Sequence, residues 1–516
     1  MSFTASDEFD LSDPEAVRAV FAAHARELAL RDQLLAGKDT LIASKDAEIA
    51  ARDEKLSSRD QQIEHLKLLI EKMRRNAYGA RSEKLERSVD QLQLKLEELE
   101  SDQAEDEVVE QLASDKPVRN KPVRKPLPDH LRREVITHTP PEECCPDCGG
   151  RLRKLGEDVS EHLERIPETF KVVRHVRVKM SCSGCDKIMQ PPAPPRPIER
   201  CLAGPALLAH VLAAKYANHI PLNRQSEIYA REGVELDRST LAGWVGASSQ
   251  LLAPLVEAVR RHVMTGSKIH ADDTPVPVLS PGRGRTKIGR LWTYVRDDRP
   301  AGIDTAPAVW FAYSPDRKGD HPRQHLKDFR GVLQADAYAG FGHLYGTGNV
   351  REAACMAHAR RKFHDIHEVH PSPITTEALD RIGALYGIER EIRGQTADRR
   401  REVRQARARP LLDQFHRWLE QKLATLSAKS DTAAAIRYAL SRWRALTRYV
   451  DDGLIEIDNS SAERALRAVA LGRRNYLFAG ADSGGHRAAN IYSLVGSAKL
   501  NGLVSCRREL VSGDAA

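Results

Sequence analysis

A seven-residue repeat of leucine and isoleucine runs along the first part of the chain, at Leu28, Leu35, Ile42, Ile49, Leu56, Ile63 and Ile70. This spacing keeps one apolar stripe on a helix and favours left-handed supercoiling. Charged pairs such as Arg31-Asp32 fill the second core position until Leu66 and Met73 occupy it. Residues 15–110 are therefore predicted to form a coiled coil that joins copies of the chain. A single helix packed on the protein's own body is the alternative.

Later segments predict short strands and two amphipathic helices. Residues 221–249 predict helices joined at Gly233. Apolar segments rich in β-branched and aromatic residues predict four strands, at 268–279, 290–296, 308–313 and 331–336. The first strand is expected to end in acid, at Asp272 and Asp273, and the fourth to end at Asp336. With a helix before the fourth strand, the first and fourth strands would lie side by side and their aspartates would converge.

Length and composition place the chain among large folded proteins. Its 516 residues exceed the usual domain of about 100–200 residues, so three or four folding units are expected. Apolar residues make up 41% and charged residues 30%, which argues against wholesale disorder. No apolar stretch approaches the ~20 residues that span a bilayer, and no secretion signal is visible. A cytoplasmic protein without a membrane partner is expected.

The charge distribution marks a linker and suggests a polyanionic partner. Lysine and arginine exceed aspartate and glutamate by 80 − 73 = 7. Residues 97–110 hold eight acids and no base, whereas residues 116–133 hold seven bases, one acid and four prolines. Residues 111–134 are therefore predicted to be a basic, proline-rich linker. The net positive charge is compatible with DNA as a partner.

Two CxxC pairs predict a structural zinc site. The pairs are Cys145/Cys148 and Cys182/Cys185, separated by 33 residues. CxxC turns direct two thiolates at one tetrahedral ion, and four protein ligands leave no open position. Residues 135–200 are therefore predicted to be a zinc-binding domain that carries a short β insert. Unmetallated thiol turns or a redox pair are the alternative.

A helix-turn-helix-like DNA-binding region is predicted over residues 201–262. Ser239 and Thr240 could cap its second helix. The basic side chains that would meet phosphates are Arg224, Arg231 and Arg238. An ordinary helical hairpin explains the same residues equally well.

Glu463 is the candidate for a third acid. It follows Ser460 by three residues, so the pair also fits a capping box, in which the glutamate only satisfies a backbone donor. An aspartate at a strand end is likewise usually a turn residue. Each acid taken alone is therefore more typical of a structural role, and only the combination of the three acids indicates a catalytic site.

Ordered motifs along the chain resemble the insertion-sequence 66 transposase family. Besides the zipper and the two CxxC pairs, they lie at residues 78–84, 215–222, 239–244, 270–275, 334–340, 355–361, 458–467 and 475–480. The resemblance covers roughly residues 28–502. It departs from the family pattern at Met356, where the family has tryptophan, and over the tail at residues 503–516.

The resemblance implies a DDE transposase with a multidomain α+β fold. Its parts would be a coiled coil, a small zinc-binding β domain, a helix-turn-helix-like region and a ribonuclease H-like catalytic core. That core would span residues 263–502, with a helical insertion at about 370–450. The implied catalytic acids are Asp272 rather than Asp273, together with Asp336 and Glu463. They would hold two Mg²⁺ (or Mn²⁺) ions, in addition to one structural Zn²⁺.

The implied function is transposition. The protein would bind the terminal inverted repeats of its insertion sequence, cleave strands and transfer them to target DNA. A homo-oligomer formed through the coiled coil, accessory proteins of the same element and association with the nucleoid are also expected. The alternative is an inactive or domesticated DNA-binding regulator, and a nuclease that only hydrolyses DNA is a further candidate.

Overall fold

The described part of the chain falls into two compact units that divide between Arg75 and Asn76. A computed structural model describes residues 32–33, 38, 40, 43–45, 59–70, 92, 95–106, 127–140, 143–166, 169–199, 201–279, 286–475 and 479–503. Several sequence predictions lie outside these residues. They concern the repeat positions from Leu28 to Leu56, Met73, the motif at 78–84, most of the basic linker, residues 476–478 and the tail from residue 504.

The first unit contains helix α1 (59–70), which is amphipathic. Ile63, Leu66 and Ile70 are buried, whereas Leu68 is 65% exposed. The three buried residues are those that the repeat places on the apolar stripe, at spacings of three and four residues. The register read from the sequence therefore agrees with burial along this helix.

The second unit contains two sheets and the remaining described helices. The strands are β1 (Arg132–His138), β2 (Leu152–Ile166), β3 (Thr169–Cys182), β4 (Ile188–Met189), β5 (Lys268–Val278), β6 (Lys287–Arg296), β7 (Ala308–Ser314), β8 (Gly331–Ala335) and β9 (Val350–Ala353). The longer helices are α2 (95–106), α3 (Pro205–Tyr216), α4 (Leu222–Arg231), α5 (Arg238–Leu251), α6 (Ala253–Met264), α9 (Met356–Val369), α10 (Pro373–Ile392), α12 (Arg409–Thr425), α13 (Asp431–Ser441), α15 (Ser460–Asn475) and α16 (Asp482–Leu500). Shorter ones are α7 (Asp320–His325), α8 (Gly342–Tyr345), α11 (Ala397–Val403) and α14 (Trp443–Thr447). Within the described ranges, no helix is both long and apolar enough to cross a membrane.

The first sheet is larger than the short insert expected between the cysteine pairs. Its strand order is β1-β3-β2, with β4 added on β3. The antiparallel pair β2–β3 runs from Leu152↔Cys182 to Ile166↔Thr169, so the cysteines lie at one end of a long hairpin. At the other end, Leu163 and Phe170 join a large hydrophobic core with α3 to α5. The hairpin is long because its far end is buried in that core.

The second sheet has the strand order β7-β6-β5-β8-β9. β5 pairs with β6 antiparallel and with β8 parallel, so the predicted first and fourth strands are neighbours, as expected. β5 spans Lys268–Val278, which agrees with the strand predicted at 268–279. The two aspartates lie inside this strand and not at its end as expected, because β6 begins at Lys287, earlier than predicted, and pairs with β5 up to Val278.

Both faces of this sheet are buried. On β7, Val309, Phe311 and Tyr313 enter the core that also contains Ile491 and Tyr492 of α16. The alternate residues Ala308 and Ala312 enter a second core on the opposite face, together with Val263 of α6. Side chains of successive strand residues point to opposite faces, so this short apolar strand is buried on both of them.

The segment between β9 and α15 forms a helical layer with its own core. Phe363, Ile382, Phe415, Ile436 and Tyr449 are among its buried residues. The expected helical insertion at about 370–450 corresponds to α10 to α14 and the single turn that follows them.

Candidate functional site

Four cysteine thiols meet at the open end of the β2–β3 hairpin. Cys145 Sγ lies 3.5 Å from Cys185 Sγ, and Cys148 Sγ lies 3.3 Å from Cys182 Sγ. All four sulfurs lie within 4.8 Å of one another. Sulfurs bound at ~2.3 Å to one tetrahedral zinc ion stand roughly 3.8 Å apart, so the donor set and its spacing fit a structural zinc.

The backbone around the thiols favours metal binding. A Cβ atom on Gly150 would lie 2.7 Å from Cys182 Sγ, so only glycine allows this close approach. The Gly184 N–H donates to Cys182 Sγ at 3.3 Å and holds the pKa of that thiol at about 7, below its ordinary value. Contacts with the neighbouring thiols raise the pKa of Cys148 to about 12 and also raise that of Cys185, so the cluster shares protons that a bound ion would displace.

Asp272 and Asp336 are brought together by the parallel pairing of β5 with β8. The pairing ends at Ala271↔Ala335, and each aspartate is the next residue of its chain segment. Asp272 Oδ1 accepts the N–H of Asp273 at 2.8 Å, and Asp336 Oδ1 accepts the N–H of Tyr338 at 3.1 Å. Both carboxyl groups are partly buried.

Glu463 is brought to the same edge by the first turn of α15, which Asn459 attaches to β5. The Asn459 side chain is fully buried, and its Nδ2 donates to the Ala271 carbonyl at 2.8 Å. Its Oδ1 lies 3.1 Å from His270 Nδ1. Burial lowers the pKa of His270 to about 3, so the ring is neutral and donates from Nδ1. The hydrogen bonds of Asn459 to Ala271 and His270 thus fix the start of α15 beside the residue before Asp272.

The capping-box alternative for Glu463 is not what the structure shows. Helix α15 begins at Ser460, so Asn459 precedes it as the cap position. The N–H of Asn459 donates to Cys355 Sγ, and the N–H of Ser460 donates to Asp458 Oδ1. Glu463 Oε1 is buried without a hydrogen-bond partner. The backbone donors that a capping glutamate would serve are therefore bonded elsewhere.

The electrostatics distinguish Asp272 from its neighbour. Burial, followed by the nearby charges of Asp336, Asp273 and Glu463, raises the pKa of Asp272 to about 7. Asp273 instead forms ion pairs with Arg290 at 3.0 Å and with Arg317 at 2.8 Å, and its side chain is 1% exposed. Asp273 is therefore neutralised by two arginines. Among the described residues, no arginine or lysine forms such an ion pair with Asp272, Asp336 or Glu463.

The predicted DNA-binding residues lie on α4 and at the start of α5. Arg224 and Arg231 are exposed and line one cleft with Asn475. The two helices are joined through Gly233 at φ +80, as the sequence indicated. The expectation that Ser239 or Thr240 caps α5 is wrong, because α5 already begins at Arg238. Both hydroxyl residues lie inside its first turn.

Arg238 contacts an acidic helix of the same unit. Its Nε lies 2.9 Å from Oε1 of Glu97 on α2, and both side chains are largely buried. On the same helix, Asp102 and Glu105 approach Arg487 at 2.6 and 3.5 Å. The Ser101 hydroxyl donates to the Ala242 carbonyl at 2.8 Å. A guanidinium that the sequence assigned to phosphate is thus already paired with a carboxylate.

The sequence motif at 355–361 contains Cys355 and His358, and the structure makes both side chains neighbours of Glu463. Together the three form a group of potential metal ligands, whose donor atoms lie within 4.8 Å of one another. The signal was available, because a Cys-x-x-His spacing at a helix start directs both side chains to one side. Their meeting with Glu463 depends on the hydrogen bonds that join the starts of α9 and α15, from Met356 N–H to the Ile457 carbonyl and from Asn459 N–H to Cys355 Sγ, and could not be read from spacing.

Comparison with known proteins assigns the chain to a family. A profile described as "Transposase IS66 family" matches residues 200–487, more than half of the chain. The chain belongs to the IS66 family of transposases. A profile for the zinc-finger binding domain of IS66 transposases matches residues 142–186, which include all four cysteines. A third, described as "Transposase C of IS166 homeodomain", matches residues 65–136.

Curated relatives are similar over most of their length. The protein y4hP of Sinorhizobium fredii is 43% identical over 458 residues, which are 84% of this chain and 83% of that protein. The proteins y4jD and y4qI of the same organism are 39% and 37% identical, covering 73% and 85% of this chain and 75% and 83% of those proteins. All three are described as uncharacterized, so they support the family and add no activity.

The first prediction concerns the zinc site of this transposase. Cys182→Ser is expected to remove the zinc ion of the four-cysteine site on dialysis, about one ion per chain, because three thiolates hold the ion far less tightly than four. Elemental analysis of the dialysed full-length protein measures this. Cys144→Ser is the matched control, because Cys144 is an exposed neighbour outside the thiol cluster. Full zinc in Cys182→Ser would contradict the assignment.

The second prediction concerns the buried charge of Asp272. Its pKa of about 7 exceeds the ordinary value, so the carboxylate destabilises the folded state increasingly as pH rises from about 4 to 7. Asp272→Asn should therefore raise stability at pH 8 in magnesium-free buffer by about 1–2 kcal/mol. At pH 5 the gain should be smaller. Thermal unfolding at both pH values measures the difference.

Asp273→Asn is the comparison variant, and the opposite effect on stability is expected for it. It is expected to lower the melting temperature, because it breaks the ion pairs with Arg290 and Arg317 and leaves their charges unpaired. If Asp272→Asn destabilised the protein at pH 8 as much as Asp273→Asn does, the charge of Asp272 would not be the one that destabilises the folded state.

Proposed function

We propose that this IS66 transposase is a DDE enzyme, in which Asp272, Asp336 and Glu463 form one magnesium site for phosphoryl transfer on DNA. The observation that supports the proposal most is the raised pKa of Asp272, which is caused first by burial and then by the charges of Asp336, Asp273 and Glu463. Carboxylates held close enough to disturb one another's protonation are costly in a folded protein. Perturbed pKa values of this origin are typical of functional sites.

The donor set fits hard divalent cations. Mg²⁺ prefers carboxylate oxygens, and Mn²⁺ accepts the same ligands. Glu463 Oε1, buried and without a hydrogen-bond partner, supports a ligand role for that side chain. Two bound ions would supply Lewis acidity at the attacking and leaving oxygens of an in-line displacement. The protein's own part is to hold the three carboxylates on β5, after β8 and on α15.

The arrangement of the second sheet supports a ribonuclease H-like core. Three antiparallel strands, β7, β6 and β5, continue into the parallel strands β8 and β9. The first two acids follow the pairing of β5 with β8, and the third comes from a helix that packs on β5. This is the order of elements that the sequence resemblance implied.

DNA recognition is proposed to use the exposed arginines of the second unit. Arg224 and Arg231 would contact phosphates of the terminal inverted repeats, with Ser239 and Thr240 at the start of α5 nearby. Arg238 can join them only after exchanging Glu97 for a phosphate. Target DNA and accessory proteins of the same element complete the proposed partners, and the enzyme would act at the nucleoid.

The third prediction tests the chemistry. Asp272→Asn, Asp336→Asn and Glu463→Gln are each expected to lower magnesium-dependent cleavage by at least about 10³-fold, because fewer anionic ligands leave a metal position weakly bound. Binding to a DNA fragment carrying the element's ends should change by less than about threefold, because phosphate contacts lie elsewhere. Cleavage and gel-shift assays on that fragment measure both quantities.

Asp273→Asn is the control for this set, assayed below its lowered melting temperature. It removes a neighbouring carboxylate that two arginines already neutralise, so measurable turnover should remain. A dead Asp273 variant beside an active Asp272→Asn would reverse the assignment. Turnover retained in Glu463→Gln would contradict a three-acid site, and a wild-type protein that binds ends without cutting them would be a DNA-binding regulator.

We also propose that the N-terminal helix forms a coiled coil between copies of the chain. The seven-residue Leu/Ile repeat supports an apolar stripe along α1, and a two-ended DNA substrate gives a dimer a use. Ile63, Leu66 and Ile70 are already covered within the single chain, as the alternative of packing on the protein's own body expects, so the experiment must separate the two. The fourth prediction follows. Ile63→Asp should lower the sedimentation coefficient of the full chain towards that of a monomer, because a charge enters the seam.

Leu68→Asp is the matched control on the same helix, because Leu68 is 65% exposed. Its substitution should leave association unchanged. Equal behaviour of the two variants would show that the stripe packs within one chain.

A further inference from the structure

Cys355, His358 and Glu463 place three different kinds of metal ligand at one point. Their thiol, imidazole and carboxylate donor atoms lie within 4.8 Å of one another. Cys355 is the residue before α9, His358 lies in the first turn of α9, and Glu463 lies in the first turn of α15. Two helix starts therefore converge on this cluster, which is separate from the four cysteines of the zinc finger.

Two atoms of the cluster lack a hydrogen-bond partner. His358 Nδ1 and Glu463 Oε1 are both buried at the atomic level without one. They face each other at 3.7 Å, which is longer than a hydrogen bond. Buried polar atoms are nearly always satisfied, so two facing orphans point to a ligand between them. Nitrogen and oxygen ligands of one tetrahedral zinc ion stand roughly 3.4 Å apart, close to this separation.

The donor chemistry selects the kind of ion. Thiolate and imidazole ligands favour Zn²⁺, whereas Mg²⁺ takes oxygen ligands almost exclusively. Burial raises the pKa of the Cys355 thiol to about 12, although the N–H groups of Asn459 and His358 act in the opposite direction, so a bound ion would have to displace the thiol proton. The Asn459 N–H already donates to Cys355 Sγ at 3.2 Å, a contact that orients the sulfur as the outer partners of metal ligands do.

We propose that Cys355, His358 and Glu463 form a second zinc site, to which the chain supplies three ligands. The site shares Glu463 with the acidic trio of Asp272 and Asp336. Zinc bound there therefore withdraws one carboxylate from the magnesium position and inhibits cleavage. This inhibitory consequence rests on the proposed DDE function, whereas the zinc site itself does not.

The competing interpretation is an ion pair between His358 and Glu463 that binds no metal. The two interpretations differ in what Cys355 does. An ion pair gives the Cys355 thiol no role, so Cys355→Ser would change no metal content. A zinc site requires the thiolate, so the same substitution removes bound zinc although both members of the pair remain.

The experiment counts zinc in the full-length protein at equilibrium with a slight excess of free Zn²⁺. Wild type is expected to hold about two zinc ions per chain, one in each thiol-containing site. Cys355→Ser and His358→Gln should each hold about one, and Cys144→Ser should still hold two. Thermal unfolding and circular dichroism establish that each variant is folded, and the two separate substitutions guard against the misfolding of either.

A wild-type count of one, or a count of two retained in both folded variants, overturns the proposal. The second arm measures magnesium-dependent cleavage against added Zn²⁺, each protein relative to its own zinc-free rate. The half-inhibitory zinc concentration should rise at least about tenfold in Cys355→Ser, the smallest loss typical of a damaged metal shell. If wild type does not cleave, the DDE proposal fails while the zinc count still decides the site.

Discussion

The carboxylates of Asp272, Asp336 and Glu463 carry like charges, and holding them near one another costs free energy that the surrounding fold must supply. The cost is visible at Asp272, whose pKa is raised to about 7 by burial and by these neighbours. Two features of the fold offset this cost in free energy. The backbone pairing of β5 with β8 fixes the first two acids, and it lies inside a sheet buried on both faces. The attachment of α15 to β5 fixes the third.

That attachment depends on one fully buried amide. Asn459 donates to the Ala271 carbonyl, accepts from His270 and, through its backbone, donates to Cys355 Sγ. It therefore joins the central strand, the start of α9 and the start of α15. An aspartate at this position could not donate to the Ala271 carbonyl, so the buried carbonyl would be left without a hydrogen bond. The position of Glu463 thus follows from a polar network rather than from apolar packing alone.

Much of this arrangement could be predicted from local sequence patterns. Strand composition predicted β5 to β8 and the adjacency of β5 and β8, and CxxC spacing predicted the group of four thiols that the structure shows. What could not be predicted depends on packing between distant segments. The position of Asp272 inside β5, and not at its end, depends on the full length of β6, and the long hairpin requires a core for Leu163 to enter. Likewise, Cys355 and His358 meet Glu463 only because two helices converge.

Charge was the least reliable guide, and the reason is physical. A net positive charge and an arginine-rich insertion suggest contacts with phosphate, yet Arg400 and Arg404 are fully buried. Arg404 pairs with Glu389 at 2.6 Å, and Arg400 with Glu456 at 2.9 Å. A buried guanidinium needs a carboxylate near it, so the sequence positions richest in arginine need not form the most positive surface.

In the predicted DNA-binding region too, carboxylates pair with arginines, and the acidic helix α2 supplies them. Its side chains pair with Arg238 and Arg487, and burial raises the pKa of Glu105 to about 8. A Cβ atom on Gly246 would collide with the Ser101 carbonyl oxygen, so α2 packs directly on the backbone of α5. A phosphate that approaches Arg238 must therefore compete with a carboxylate held in place by close helix packing. Affinity for DNA is then a difference between two ionic contacts, which net charge alone cannot predict.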